Sequence, residues 1–358
     1  MILRIWTCAG LLALALTSCP SPVGPVNLPA AGKLLLVLNF ASGTVGGIDP
    51  ATFAPAGLVP VGGAPAAIVM DGNLAYIALA GANQIIVLDT TTSGITARIP
   101  VGRNPTALAF DGTTLFTADF NPGSNGFPSS LSPFTLSRAD AASAMAMSPF
   151  ELPPLSRPAA LALGPGGKLY VAAPGTDELL IVDQTTGNVD STLALPDDDP
   201  LAVTADATRV FVATAGPVGS GTSGKLLVIT GAPAAPVIAD TVDLPAHISG
   251  PGALLFIGGN KLLTTVSSAS DQPAPPVAVN RLLEIDVSVP GITRTVTLGP
   301  RPLGILQDGN TIYITNAGDG TVSVVDLVSF TETDVKPATP ALDRVAVGAQ
   351  PVALGLRP

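Results

Sequence analysis

Arg103, Asn104, Arg157, the run Asp197-Asp198-Asp199, His247, Arg301 and Gln350 are the residues whose types could do binding chemistry. Each lies within a few residues of a proline that opens a run of small apolar side chains. Guanidinium, carboxylate, imidazole and amide groups set round one narrow opening would orient a small polar or anionic ligand, because low-dielectric walls strengthen each contact relative to open solvent. A ring of loop residues that only meets solvent gives the same pattern. The aspartate run could begin a calcium site, but hard cations take roughly six to eight oxygens, and a solvated turn explains it as simply.

Catalytic constellations are poorly served. The sequence has a single histidine, His247, and two cysteines, Cys8 and Cys19, both near the N-terminus. Neither a multi-histidine metal centre nor a thiol nucleophile can be assembled from the rest of the chain. A Ser-His-Asp set using His247 lacks a nucleophile-elbow motif. The Gly-rich stretch 216–224, GPVGSGTSG, has no following Lys-Ser/Thr and is no phosphate loop. No metal and no cofactor is expected, and enzyme activity is left open with a non-catalytic role preferred.

What must position these residues is a repeat. Residues 312–326 read IYITNAGDGTVSVVD, residues 76–110 read YIALAGANQIIVLDTTTSGITARIPVGRNPTALAF, and residues 170–204 are a further copy. Each holds four short β-type runs broken by Gly, Asn, Asp and Pro, the pattern of serial four-stranded antiparallel units. A proline before small apolar residues marks every unit, at Pro65, Pro105, Pro158, Pro200, Pro251, Pro302 and Pro351. The spacing matches the ~40 to 50 residues of propeller repeats. The small residues after each proline fit an innermost strand A crowded at an axis, and the prolines suit a first strand position. Tight turns such as Asp71-Gly72, Asp111-Gly112 and Asp308-Gly309 lead into strand B.

These observations predict an all-β fold, a seven-bladed β-propeller of four-stranded antiparallel blades. Ordered sequence starts in strand B near Lys33 and ends in strand A at 350–356, so the ring must close by pairing Val352–Leu356 with Leu34–Asn39. B-to-C and D-to-A connections then share one face, opposite the A-to-B and C-to-D turns. Long B-to-C segments at 119–130, 215–224 and 267–279 put the variable loops on the same face as the polar residues. Phe120, Phe127, Phe134, Phe150, Met145 and Met147 cluster in blade three. They form either a contact patch or the packing of an irregular blade, and 139–147 could be a helical turn.

The motifs Tyr313-Ile314-Thr315-Asn316, Ser323-Val324-Val325-Asp326 and Ile99-Pro100-Val101-Gly102 with Pro105 resemble the YVTN family of β-propeller repeats over about residues 33–358. Blades three, five and six depart from the pattern, with Thr230 where the family has the Asp of strand C. The resemblance implies a fold and leaves function open.

Residues 1–18 read as a secretory signal, with Arg4 before the apolar stretch 5–16. Leu16-Thr17-Ser18-Cys19 resembles the lipobox of bacterial lipoproteins, which implies cleavage before Cys19 and its acylation. Pro20, Pro22, Pro25 and Pro29 make 19–32 a proline-rich tether, and 33–358 is the propeller. Beyond the signal, no apolar run approaches the ~18 residues of a membrane span. Net charge is −10 with no basic cluster, which excludes nucleic acid as an expected partner.

The expectation is a lipid-anchored protein of the cell envelope, outside the cytoplasm, acting as a binding or scaffold module through its loop-rich face. Its partners would be the membrane, through the N-terminal lipid, and an envelope protein or small polar ligand. The alternatives are an envelope enzyme of lactonase-like or quinone-dependent dehydrogenase-like type using the polar mouth, and a surface-layer or adhesion component.

Overall fold

The computed structural model describes residues 27–120, 134–196, 199–215, 224–245, 248–268, 280–335 and 342–358. These form seven antiparallel sheets arranged as blades, each ordered A-B-C-D from the axis outwards. In blade two the strands are Pro65–Asp71, Leu74–Leu79, Gln84–Asp89 and Gly94–Pro100. The inner strands contact one another all the way round the ring. Closure is as the sequence predicts: Pro351–Arg357 is strand A of blade one and pairs with Leu34–Asn39, placing Leu354 opposite Val37 and Leu356 opposite Leu35.

The core is a ring of seven apolar layers, one between each pair of adjacent blades. Strands B and C are therefore covered on both faces, as in Glu178–Asp183, where the four central residues are all buried. This is why the chain holds only 12% charged residues against ~25% in an average soluble protein. Strand D alternates half-buried and exposed positions, as in Val189–Ala194, because it lies at the outer edge where solvent reaches it. Tyr76, Tyr170 and Tyr313 take the same buried place in strand B, and burial pushes Tyr170 and Tyr313 up to about 12.

Small residues in strand A are required by crowding. A Cβ on Gly304 would lie 2.6 Å from the Val352 carbonyl oxygen, and one on Gly252 would lie 2.7 Å from that of Pro302. The marker prolines sit at irregularities of the ladder, with a register shift just after Pro65, Pro105, Pro200 and Pro302. Two of them do not begin a strand. Strand A of blade four starts at Ala160, two residues past Pro158, and that of blade six runs Ile248–Gly258 with Pro251 inside it between two register shifts. A missing N–H is tolerated at a bulge as well as at a strand end.

Blade three is regular where the sequence allowed a helical turn: Met145–Leu152 is its strand D, paired with Phe134–Asp140. Phe134 and Phe150 are packed between blades three and four, whereas Met145 and Met147 are exposed. Phe127 lies outside the described residues.

One face is closed by its own aspartates. Asp49, Asp89, Asp140, Asp183, Asp286 and Asp326 follow or end strand C, and each accepts backbone N–H groups of the following C-to-D turn. Hydrogen bonds to the turns lower all six carboxyls, the Lys168 ammonium being the largest influence at Asp183. Where Thr230 replaces the aspartate, Gly231 at φ 73° makes the turn and its carbonyl accepts the Ala235 N–H.

Candidate functional site

The D-to-A connections meet at the mouth of the axis on the opposite face. The residue before the marker proline is left-handed at Ala64, Asn104, Arg157, Asp199, Arg301 and Gln350, with φ between 48° and 59°. Its carbonyl accepts the N–H of the residue that follows strand B, from Gln350 to Phe40 at 2.9 Å, Ala64 to Ala80 at 3.0 Å, Asn104 to Phe120 at 3.1 Å, Asp199 to Ala215 at 3.0 Å and Arg301 to Ala317 at 2.9 Å. In blade four the bond shifts by one residue, from Gly175 N–H to the Ser156 carbonyl. The N–H groups of Asn104, Asp199 and Arg301 donate to Oδ1 of Asn83, Asp177 and Asn280. Each of these six D-to-A connections is thus stapled to a B-to-C connection.

Five of the residues singled out in the sequence therefore hold one recurrent backbone position. Asn and Asp tolerate that conformation better than most residues, and Ala64 shows that no polar side chain is needed. The side chains differ: Arg301, Gln350 and the adjacent Arg103 are exposed, while Asn104, Arg157 and Asp199 are half-buried. The Arg157 guanidinium lies over the Phe120 ring at 4.8 Å. His247, Asp197, Asp198, Cys19 and the insertion residues 121–133, 216–223 and 269–279 lie outside the described residues.

Sequence reasoning missed Asp119, at the root of the blade-three insertion. It is 1% exposed, and its Oδ2 accepts the Ser137 hydroxyl at 2.6 Å, the Thr135 hydroxyl at 2.8 Å and the Ser137 N–H at 3.1 Å. Its Oδ1 accepts the Thr117 hydroxyl at 2.8 Å. Burial pushes the carboxyl up, and these bonds only partly offset it. Blades one and seven carry Asn39 and Asn316 at this place, and Asn316 Nδ2 donates to the Thr321 and Ser323 hydroxyls. A glycine of the preceding D-to-A connection packs on each, so that a Cβ on Gly299 would come within 2.6 Å of the Asn316 amide. Aligning Asp119 with the last residue of Tyr313-Ile314-Thr315-Asn316 is the signal that would have found it.

Asp119→Asn should raise the melting temperature at neutral pH. A carboxyl whose folded pKa is raised contributes stability below its unfolded value and loses it as pH rises through the folded one. The advantage of the amide should shrink as pH falls towards 4. Thermal melts of both proteins across this range check it, and a less stable variant at every pH would contradict the assignment.

Among the described residues, no group of three or more His, Cys, Asp or Glu is placed to hold a metal ion. A recess of about 570 Å³ opens on the tight-turn face under blade one, lined by Pro29, Gly32, Lys33, Asp49, Pro50 and Asp308.

Blade number, strand order and closure define the class: a seven-bladed β-propeller. No family model matches the chain, and no curated protein matches it. Solved structures do. A functionally unknown protein from Desulfotomaculum acetoxidans aligns with TM-score 0.67 at 11% identity, over 91% of this chain and 99% of that one. Kuenenia stuttgartiensis hydrazine synthase aligns with TM-score 0.65 at 17% identity, over 81% and 88%. A streptogramin B lyase aligns with TM-score 0.59 at 13% identity, over 81% and 90%. At these identities the likeness is one of fold.

Proposed function

We propose that the protein is a lipid-anchored, YVTN-type propeller of the cell envelope that acts as a non-catalytic binding or scaffold module through its loop-rich face. The observation that carries this reading is the inequality of the faces. Turns on one side are closed by their own aspartates, whereas the other side gathers the polar D-to-A residues and the roots of the three long B-to-C segments. Arg103, Asn104, Arg157, Asp199, His247, Arg301 and Gln350 are the proposed ligand-binding set, and Cys19 the lipidation site. A second reading, an envelope enzyme using the same mouth, draws support from fold neighbours that include hydrazine synthase and streptogramin B lyase.

Single cysteines at Arg103 and Gln350 on the loop-rich face, and at Asn73 and Asn310 by tight turns, would be crosslinked in native envelopes. One stoichiometric adduct formed mainly from the loop-rich positions is expected. Capture mainly from the tight-turn positions would overturn the face. Mass spectrometry should find acylated Cys19 as the mature N-terminus, and any other N-terminus, or one without acyl mass, would remove the anchor.

A further inference from the structure

The chain enters the propeller on the tight-turn face, and it is pinned there. Leu28 is 3% exposed and its N–H donates to Ser93 Oγ at 2.8 Å, in the C-to-D turn of blade two. Its side chain sits in a slot that only glycines leave open: a Cβ on Gly47 would be 2.9 Å from Leu28 Cδ2, and one on Gly57, at φ 119°, would be 2.7 Å from the Asn27 carbonyl oxygen. Four residues on, the Gly32 carbonyl accepts two N–H groups of Arg357, at 3.0 and 2.8 Å. Lys33 Nζ pairs at 2.6 Å with Asp308, in the A-to-B turn of blade seven. The strap 27–33 is thereby fixed to blades seven, one and two, all at the end where the tight turns lie.

We infer that the tight-turn face is turned towards the lipid bilayer that holds the N-terminus, and that the loop-rich face is presented away from it. The inference rests on the anchored reading above for the identity of that surface. Residues 19–26, even fully extended, reach no further than about 28 Å, and strands of six residues make the disc about 20 Å deep. The lipid lies beside the tight-turn face with slack to spare, whereas bringing it level with the loop-rich face would take most of that reach and hold residues 19–26 nearly straight along the side of the disc, at a cost in chain entropy. Val289 and Val328, at 77% and 71% exposure, stand in C-to-D turns of the membrane-facing side. The aspartates of the same turns would repel anionic headgroups, so a zwitterionic surface suits this face better.

Two measurements test this separately from the anchor. In the full chain with Cys8 and Cys19 both replaced by Ser, spin labels at Ser21→Cys and Asn310→Cys should be closer together than labels at Ser21→Cys and Gln350→Cys. The reverse order would overturn the exit side whether or not the native protein is lipidated. In acylated protein on phosphatidylcholine vesicles carrying a headgroup acceptor, the height difference of about 20 Å should make energy transfer from Asn73→Cys or Asn310→Cys at least about twofold greater than from Arg103→Cys or Gln350→Cys. Equal or reversed transfer would overturn the orientation. Missing acyl mass on Cys19 would instead overturn the anchor and leave the spin-label result standing.

Discussion

Deleting residues 350–358 is expected to abolish cooperative unfolding. Strand Pro351–Arg357 belongs to two apolar layers at once: Leu354 and Leu356 pack between blades seven and one, and Val352 and Ala353 between blades one and two. Full burial of a side chain such as Leu354 contributes about 1.5–3 kcal/mol, and the half-buried Val352 and Leu356 add smaller amounts. Arg357, 1% exposed, donates to the carbonyls of Gly32 and Thr90; the exposed Gly32 carbonyl regains water when the arginine is lost, but orphaning the buried Thr90 carbonyl costs about 1–3 kcal/mol. Together these reach the lower end of the net stability of an ordinary domain, about 5–15 kcal/mol. The loss also opens the ring, leaving strand Leu34–Asn39 with an unpaired edge. Arg357→Ala, which keeps the strand, should lower stability by only about 1–3 kcal/mol. Calorimetry of the two variants separates them, and an unchanged melting temperature in the truncated chain would contradict closure.

Blade number, closure and the division of loops between faces were legible because they follow from strand order alone. Once Val352–Leu356 is strand A and Leu34–Asn39 is strand B, antiparallel pairing decides which connections share a side. The aspartate ending strand C was legible as a repeat feature, and its reason is the capped turn, as Thr230 and Gly231 show by doing without it. The mouth was less legible. Asn104, Asp199, Arg301 and Gln350 are conspicuous as polar residues before prolines, but spacing does not reveal that the position is left-handed and that its carbonyl ties two loops together. A backbone requirement and a ligand requirement can choose the same residue types.

Contacts between segments far apart in sequence were not legible at all. Leu28 reads as part of a tether, and only the glycine slot formed by Gly47 and Gly57 explains its burial. Asp119 reads as the start of a loop because its donors Thr135 and Ser137 lie beyond the insertion. Phe120 gains meaning only once Arg157 arrives from the next blade.

Glu284→Ala should destabilise the protein by about 3 kcal/mol at neutral pH, and the deficit should vanish in acid. Glu284 sits in strand C of blade six with 1% exposure. Burial alone would raise its carboxyl, but the Arg294 guanidinium, the Thr293 hydroxyl at 2.8 Å and the Lys261 ammonium at 3.1 Å outweigh it and hold it at about 2. A folded value below the ordinary one near 4.5 means the contribution is complete above that value and lost as pH falls from there through about 2. The capped aspartates of the C-to-D turns act with the same sign, so they steepen the acid limb in both proteins and cancel in the comparison. Removing one partner of a buried ion pair often costs about 3–5 kcal/mol, and the lower end applies because Arg294 and Lys261 are partly exposed and can regain water. Arg294 also donates to the Val328 carbonyl at 3.1 Å and lies 4.4 Å over the Phe330 ring, so the carboxylate aims a guanidinium that joins blade six to blade seven. Urea unfolding at neutral pH and near pH 2 measures both halves of the prediction. Equal stability of the two proteins at neutral pH would show that the guanidinium holds the blades together without its carboxylate.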